Sequence, residues 1–330
     1  MGKDFGKLTS NTLITGSKAA TLAGVNRFES LNDLMNYILF HQGVEGATEP
    51  PQPEGEFLQI AHDVEPIIIK RAVDKISKSI GKELVHEDEV REVYKYKDLF
   101  EVSLDSIVFH EGGSVIKPSE EMQIIFPKGQ SEIVLEGDGV IEAKNTRIPP
   151  RELPEEYMGV WQLQMQMLCH GAKWGAVSVL YQGYSHYVYV YKRDEEMMQK
   201  LIDLALEFYE RVNNIDWYPV RTSSDGAKTY ANGEDDLPSI NLSELSETLI
   251  ELVDAKDTIK TLKSRIEEEL EPKIMDKLGN HTRGFLDDED GERFVDISWP
   301  TRNYKAQPEK VVQAKPARKV RQSSLSIIRK

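Results

Sequence analysis

The first 212 residues of the sequence predict an α+β fold, and the residues after them predict a C-terminal helical extension. Apolar side chains recur at helical spacing in residues 57–80 and again in residues 154–170. Between these two segments, short runs rich in β-branched residues predict strands; they lie at residues 93–110, 122–126, 133–135 and 140–144. Helical and extended patterns therefore alternate along one large domain.

Local signals place several element boundaries. Ser17 follows a Thr-Gly pair and predicts an N-cap at the start of an early helix. Residues 112–139 predict a hairpin inserted between two strands, and residues 176–191 predict a second hairpin that turns near Gly183. Asp194 is expected to cap a helix that runs to about residue 212.

The C-terminal third predicts three further segments. The polar residues 213–240 predict a linker, and residues 241–300 predict a helical extension with a short strand near its end. The long helix carries a heptad pattern that Lys256 and Lys263 interrupt. Residues 301–330 form a basic tail, which indicates either contact with DNA or an acidic partner, or a solubilising end.

Composition restricts the class of protein. The formal net charge of −15 argues against a protein that coats nucleic acid, although it allows an enzyme with a local basic groove. The single cysteine fits a reducing compartment. No apolar run is long enough to span a bilayer, and the first residues lack the apolar region of a secretory signal. We therefore expect a cytoplasmic protein without a membrane partner.

The most informative short pattern is Glu142-Ala143-Lys144 within an apolar strand. Alternation along a strand puts Glu142 and Lys144 on the same face. A carboxylate of this kind can hold Mg²⁺, and a neighbouring ammonium can orient a water molecule and offset charge on a phosphate. The pattern is also compatible with an ordinary solvated strand face.

Three further positions carry polar groups in apolar surroundings. Asp105 lies in an apolar strand and is either a metal ligand or the start of a turn. Glu65 precedes Pro66 in a helical segment and is either a first-turn acid or a third carboxylate of the site. A helix carries three alternating glutamines, which need hydrogen-bond partners if they are buried: Gln162, Gln164 and Gln166.

The order of these features resembles the YqaJ-type viral recombinase family, which is similar to lambda exonuclease and belongs to the PD-(D/E)XK nucleases. The resemblance covers about residues 12–212 and rests on the turn at 15–20, the helical acid Glu65, the strand at 103–106, the Glu142-x-Lys144 strand and the glutamine helix. Ala61 and Ser106 depart from the pattern, because the family has glycine at these positions.

The resemblance implies a restriction-endonuclease-like α/β/α fold, with a mixed central sheet flanked by helices. It also implies a Mg²⁺ site, with Mn²⁺ able to take its place, in which Asp105 and Glu142 are ligands and Glu65 is a further ligand, directly or through water. Asp138 stays open as an alternative to Asp105. Lys144 would orient the attacking water, and Gln162 would hold that water or the lysine. DNA contacts are implied for three residues: Ser17, Lys18 and Gln164.

The function that the resemblance implies is an exonuclease that digests one strand of linear duplex DNA for phage-type recombination in a bacterial cytoplasm. Its partners would be duplex ends, a single-strand annealing protein and further copies of the chain, in a trimeric ring or another homo-oligomer. The resemblance favours 5′-to-3′ digestion, although no residue determines the polarity. The alternatives are a non-catalytic module with a degenerate nuclease fold that binds DNA ends or a partner, a nicking or flap endonuclease, and a structural protein organised by residues 242–270.

Overall fold

The computed structural model describes residues 9–50, 56–88, 90–147, 154, 156–230, 239–287 and 293–298. The chain forms two compact units, residues 1–231 and residues 232–330. The basic tail at 301–330, the strand end at Trp299 and the linker residues 231–238 lie outside the described residues. Among the helices of the described ranges, none is long and apolar enough to cross a membrane.

The first unit contains eleven of the described strands. In chain order they are β1 Ile14–Thr15, β2 Val85–Asp88, β3 Val93–Tyr96, β4 Phe100–Ser103, β5 Ser106–Phe109, β6 Gly113–Ile116, β7 Ile124–Ile125, β8 Ile133–Glu136, β9 Gly139–Thr146, β10 Trp174–Tyr181 and β11 Ser185–Lys192. Its helices are α1 Ala19–Leu22, α2 Leu31–His41, α3 Glu56–Ile80, α4 Gly159–His170, α5 Glu195–Asn214 and α6 Ser223–Thr229.

The main sheet has six strands in the order β2-β5-β9-β10-β11-β7. The pairs β9/β10 and β11/β7 are parallel, and the other three pairs are antiparallel, so the sheet is mixed. A second sheet has the order β1-β4-β3, and the two remaining strands, β6 and β8, pair as a hairpin. The predicted mixed central sheet and the inserted hairpin at 112–139 are confirmed.

Two apolar cores cover the two faces of the main sheet. Helix α3 buries Ile69, Val73 and Ile76 in one core, with Ile141 and Ala176 from the sheet. Helices α2, α4 and α5 build the other core, which takes Val140 and Val177 from the same two strands. Neighbouring residues of a strand point to opposite faces, so β9 and β10 contribute to both cores. The result is the predicted α/β/α arrangement.

Two local expectations about helices are wrong. Ser17 does not cap a helix, because it lies inside a 3₁₀ turn at Gly16–Lys18 and its hydroxyl lies 3.2 Å from the hydroxyl of Thr15. Pro66 is not at an early helical position, because α3 begins ten residues earlier at Glu56 and continues through it. The reading of Glu65 as a first-turn acid therefore fails. The cap at Asp194 is confirmed, since its carboxylate accepts from Met197 N at 3.0 Å.

Part of the segment predicted as a linker packs against the first unit. Asp225 in α6 is buried and accepts hydrogen bonds from the Ser30 hydroxyl at 2.6 Å and from Arg221 N at 3.0 Å. The buried amide of Asn32 pairs with both backbone groups of Tyr218. The first unit therefore extends beyond the predicted boundary at residue 212 and ends at residue 231.

The second unit contains a long helix and a hairpin. Helix α7, Ser246–Arg265, continues through a π-helical turn at Ile266–Leu270 into α8, Glu271–Leu278. Pro272 lies in the first turn of α8, directly after the π-helical turn, and the helix continues through it. Gly279 ends the helix. Strands β12, Arg283–Asp287, and β13, Arg293–Ser298, form the hairpin.

Candidate active site

Asp105 and the β9 strand meet at the centre of the first unit. Asp105 occupies a bend between β4 and β5, directly before the residue that pairs with Ile141. Its carboxylate accepts a hydrogen bond from Ala143 N at 2.8 Å. Asp105 therefore starts a turn, as one of its two interpretations had it. This turn also brings its carboxylate to the Glu142-x-Lys144 strand.

Glu142 and Lys144 point from β9 towards α4. The carboxylate of Glu142 is buried, and its Oε2 accepts from Gln166 Nε2 at 2.5 Å. Lys144 Nζ donates to the other oxygen, Oε1 of Glu142, and to Gln162 Oε1 at 2.9 Å. Gln162 and Gln166 lie one helical turn apart, so the two strand residues face two successive turns of α4.

The electrostatics of the cluster indicate a shortage of positive charge. Burial, followed by repulsion from Glu142 and Glu65, raises the pKa of Asp105 well above its ordinary value. Burial alone would lower the pKa of Lys144, but the carboxylates of Glu142 and Asp105 raise it above its usual range. A single ammonium, partly exposed to solvent, thus faces at least two carboxylates, of which that of Glu142 is buried.

The donor set suits a hard divalent cation. Mg²⁺ prefers oxygen ligands and is usually held by one or two carboxylates, with water and substrate phosphates completing its shell. Asp105 and Glu142 supply two such carboxylates. Burial, and then repulsion from Glu142 and Glu65, raise the pKa of Asp105, and a bound cation would offset that repulsion. Among the described residues, no three His, Cys, Asp or Glu side chains converge closely enough to hold a metal on their own. Glu65 is therefore not placed as a third direct ligand.

Glu65 lies in the electrostatic neighbourhood of the site. Burial, then the charge of Glu142, raises its pKa, and His62 and Lys144 act in the opposite direction. Asp88, at the end of β2, also raises the pKa of Glu65. The carboxylate of Asp88 lies 3.4 Å from His86 Nε2. Glu65 and Asp88 thus extend the acidic cluster on the side of α3 and β2.

The early turn packs against the glutamine helix. A Cβ placed on Gly16 would lie 3.5 Å from Cγ of Gln162 and 3.8 Å from Cγ of Gln166. Ser17 is exposed beside this contact, as a phosphate-binding residue would need to be. Lys18 forms an ion pair with Glu29, and its ammonium lies 5.1 Å from the ring centre of Tyr37. The charge of Lys18 is therefore already compensated.

The prediction that Gln164 contacts DNA is wrong. Its side chain is 1% exposed. The amide nitrogen donates to Lys192 O at 3.0 Å, and the amide oxygen accepts from Asp194 N at 2.9 Å. Gln164 joins α4 to the start of α5. The sequence could not show that Gln164 and Gln162 have different surroundings, because only the fold determines which face of α4 meets β9.

Asp138, the alternative ligand, lies at the opposite end of β9 from Lys144. Its carboxylate accepts from His110 N at 3.0 Å. The charges that act on Asp105 come from Glu142, Glu65 and Lys144, so Asp105 is the acid that the fold brings to Glu142.

Sequence reasoning left Gln166 and Asp88 out of the site. Gln166 shares a helix face with Gln162, and this spacing was a usable signal. Asp88 gave none, because it is one acid in a run of four charged or titratable residues and reaches the site only through the pairing of β2 with β5.

Comparisons with known proteins give matches among solved structures. No family model matches the chain, and no curated protein matches it. The alkaline exonuclease LHK-Exo from Laribacter hongkongensis is similar over 62% of this chain and 90% of its own, with 14% identity and a TM-score of 0.42. The complex of LHK-Exo with dAMP has 16% identity and a TM-score of 0.43, and the match covers the same 62% of this chain and 90% of its own. A phage-related exonuclease from Haemophilus somnus 129PT covers 62% of this chain and 96% of its own, with 10% identity and a TM-score of 0.37.

The named neighbours are exonucleases, the class that the sequence resemblance implies. At these identities and TM-scores the likeness carries no functional argument. A functional assignment therefore depends on the chemistry of the site.

Proposed function

We propose that this chain is a metal-dependent nuclease that hydrolyses phosphodiester bonds of DNA and acts as an exonuclease on linear duplexes. The observation that supports the proposal is the cluster of Asp105 and Lys144 around the buried carboxylate of Glu142, held by Gln162 and Gln166. Taking such charges out of water costs several kcal/mol per ion, and pairing them offsets only part of that cost. An arrangement this expensive is typical of a catalytic site.

Asp105 and Glu142 are the residues that would hold Mg²⁺, or Mn²⁺ in its place, with Glu65 acting through water. The bound ion would supply charge neutralisation at the phosphate and lower the pKa of a water molecule. The oxygen donors and the repulsion between the carboxylates support this choice.

The chain's own residues then have separate tasks. The ammonium of Lys144 offsets negative charge that develops on the phosphate, and its raised pKa keeps it charged at neutral pH. Gln162 Oε1 holds the ammonium in place, and Gln166 fixes the carboxylate of Glu142. Ser17, which is exposed and follows the Gly16 contact with Gln162, would donate to a neighbouring phosphate oxygen.

The wider setting in this proposal comes from the family resemblance. It includes digestion of one strand in the 5′-to-3′ direction, transfer of the exposed strand to an annealing protein in phage-type recombination, a homo-oligomeric assembly and a cytoplasmic location. Each of these follows only if the cluster cleaves DNA.

The test is digestion of an end-labelled linear duplex with Mg²⁺. We expect the wild-type chain to shorten one strand and to spare closed circular DNA. Glu142→Gln and Lys144→Ala should each reduce the rate at least about 100-fold, since each removes a charge from the reaction centre. Glu136→Gln is the matched control, because Glu136 is an exposed acid of β8.

Three outcomes would contradict the proposal or part of it. A wild-type chain that is inert with Mg²⁺ and Mn²⁺ on linear, nicked and single-stranded DNA would sink the nuclease assignment and favour the non-catalytic end-binding module. Cleavage that survives in both variants would remove the site assignment. Cutting of closed circles would replace the exonuclease by an endonuclease.

A further inference from the structure

A groove runs along α3 on the side that faces β2, away from the glutamine helix. Two adjoining clefts of about 460 and 680 Å³ form it, and they share Lys70, Asp74 and His86. We call it the α3–β2 groove: it is bounded by Pro66 and Asp88 at one end and by Gly81 and Lys82 at the other.

One end of the groove touches the acidic cluster. Pro66 directly follows Glu65 in α3. Asp88 pairs in register with Ser106, the residue after Asp105. A chain of phosphates that leaves the carboxylates on this side would therefore enter the groove.

The groove has a small excess of positive charge in an acidic chain. Its lining contains four Lys or Arg residues and three acids, Asp74, Glu83 and Asp88, whereas the whole chain has a net charge of −15. Arg71 and Lys78 are seven residues apart and so share one face of α3. Neither has a hydrogen-bond or ion-pair partner among the residues that the structure describes. Their positions are about 10 Å apart along the helix axis, close to three base-pair steps of a duplex.

The other cations of the segment are already engaged. Lys70 pairs with Asp74 at 2.6 Å, Lys75 donates to His186 O at 2.6 Å, and Lys82 donates to Glu111 O at 2.9 Å. Arg71 and Lys78 are thus the cations of this segment whose side chains have no hydrogen-bond partner among the described residues.

The lining favours a duplex over a single strand. Proteins that hold single strands use aromatic side chains on which the bases stack. Of the described residues that line the groove, none is Phe, Tyr or Trp. Contacts by Lys and Arg alone suit the backbone of a duplex, whose bases remain paired.

We propose that the α3–β2 groove binds the phosphate backbone of duplex DNA, with Arg71 and Lys78 each contacting a phosphate. The inference rests on the proposed function, because it assumes that the duplex is cleaved at the acidic cluster and extends from there into the groove. It adds a binding surface that lies on the opposite side of α3's sheet from α4 and α5.

The experiment measures binding of a fluorescein-labelled 30-base-pair duplex to the full chain by anisotropy, in EDTA, from 50 to 300 mM KCl. Without a divalent ion no cleavage is expected, so binding is read separately from activity. Each phosphate contact contributes about 0.9 to the slope of log Kd against log [KCl]. We expect Arg71→Ala/Lys78→Ala to lower the slope by about 2 and to weaken binding about tenfold or more at the lowest salt.

The matched control is Lys200→Ala. Lys200 is an exposed lysine of α5, on the other face of the sheet, and its ammonium lies over the ring of Trp161. This variant should keep the slope and the affinity of the wild-type chain.

Each other outcome has a defined meaning. A double variant that binds like the wild type, or a wild type that does not bind the duplex, would refute DNA binding in the α3–β2 groove. If the double variant lost as much or more affinity for a single strand of the same length as for the duplex, the duplex assignment would be wrong. Salt-dependent binding that needs Arg71 and Lys78, in a chain that never cleaves with Mg²⁺, would leave the groove standing and remove the nuclease proposal.

Discussion

Gln164 and Gln166 lie two residues apart on α4 and serve different parts of the molecule. Gln166 donates to Glu142 within the candidate site, and its own Oε1 is buried without a partner among the described residues. Gln164 ties Lys192 and Asp194 together at the start of α5. Under the proposed function, Gln166 therefore supports the reaction and Gln164 supports the stability of the fold, and variants of each should differ.

If Glu142 holds the metal as proposed, replacing Gln166 by Ala is expected to reduce the cleavage rate about 10- to 100-fold, because outer partners of a metal-ligating carboxylate fix its orientation. The Mg²⁺ concentration needed for half-maximal activity should be higher in this variant than in the wild type. Steady-state cleavage over a Mg²⁺ series gives both numbers.

Gln164→Ala is the contrasting variant. Since it removes two part-buried hydrogen bonds to the backbone of Lys192 and Asp194, we expect it to lower the free energy of unfolding by about 1–3 kcal/mol. Cleavage per folded molecule should stay at the wild-type rate. Equal cleavage rates in the two glutamine variants would refute the division of roles.

His186 gives a residue-scale prediction about pH. Burial, and then the charges of Lys75 and Arg71, lower the pKa of His186 to about 4, and its Nε2 lies 2.8 Å from the Ser178 hydroxyl. In the unfolded chain the imidazole titrates near about 6.5, so the unfolded state binds more protons below that pH. The stabilisation by neutral His186 is thus complete above about pH 6.5 and declines as the pH falls towards 4.

Urea unfolding at pH 7 and pH 5 measures this loss. Between these two values His186 should account for up to about 2 kcal/mol, since one pKa unit corresponds to about 1.4 kcal/mol. His186→Gln cannot gain a proton and should lose that part of the pH dependence. His281→Gln, at an exposed histidine, should keep it. The same acid-side loss in His186→Gln as in the wild type would contradict the role of His186.

At the scale of single elements, the sequence correctly predicted the features that depend on residues close together in the chain. The periodicity of residues 57–80, the hairpin around Gly183 and the cap at Asp194 all depend on neighbours in sequence, and the structure has each of them. Ser17 followed a helix-start pattern, yet the chain forms a 3₁₀ turn there that packs Gly16 against Gln162. A contact between residues so far apart in sequence leaves no local signal.

The pairing of β9 with β10 sets a steric limit at Gly139. A Cβ on Gly139 would lie 2.3 Å from the ring of Trp174, its register partner and a fully buried side chain. We expect Gly139→Ala to destabilise the chain by about 2–3 kcal/mol or more, because the ring has no space to move. Thermal or urea unfolding measures the change.

A glycine-to-alanine change of opposite sign serves as the control. Gly226 lies within α6, where the nearest atom to an added Cβ is 3.8 Å away. Gly226→Ala should therefore stabilise the helix by about 0.5–1 kcal/mol. A Gly139→Ala chain as stable as the wild type would show that the sheet adjusts at this point.

At the scale of the whole molecule, the sequence placed the end of the first unit too early. Residues 213–230 are polar and turn-rich, which predicts a linker. Three of their side chains nevertheless pack on the first unit: Trp217 and Tyr218 against the apolar core, and Asp225 against Ser30. Composition does not report such contacts, because a few buried groups in a polar segment are enough to dock it.

Two truncations test this boundary. A chain that ends at residue 231 should fold and unfold cooperatively, since it keeps the whole compact unit. A chain that ends at residue 212 loses the partners of Asn32, a buried amide, and should be less stable by at least about 1–3 kcal/mol. Circular dichroism during heating compares the two. Equal melting temperatures would mean that residues 213–231 add nothing to the unit.

The candidate site as a whole was predictable only in part. The pair Glu142 and Lys144 follows from alternation in one strand, whereas the approach of Asp105 depends on a bend that pairs β5 with β9. Gln162 and Gln166 face this pair because α4 packs across β9 in one of its possible rotations. Residue types therefore indicated the chemistry, and tertiary packing decided which residues take part.

The central place of β9 and β10 has a consequence for the timing of proton exchange. Strand β10 is paired along both edges, and β9 is paired with β10 and, at Gly139–Ile141, with β5. The N–H groups paired in this region meet solvent deuterons only when the sheet opens. Ala143 N lies just beyond the β5 pairing and is protected by its hydrogen bond to Asp105. The slowest deuterium uptake in the chain should thus belong to the strand that carries the carboxylate and the ammonium, and the lifetime of the site is the lifetime of the folded sheet.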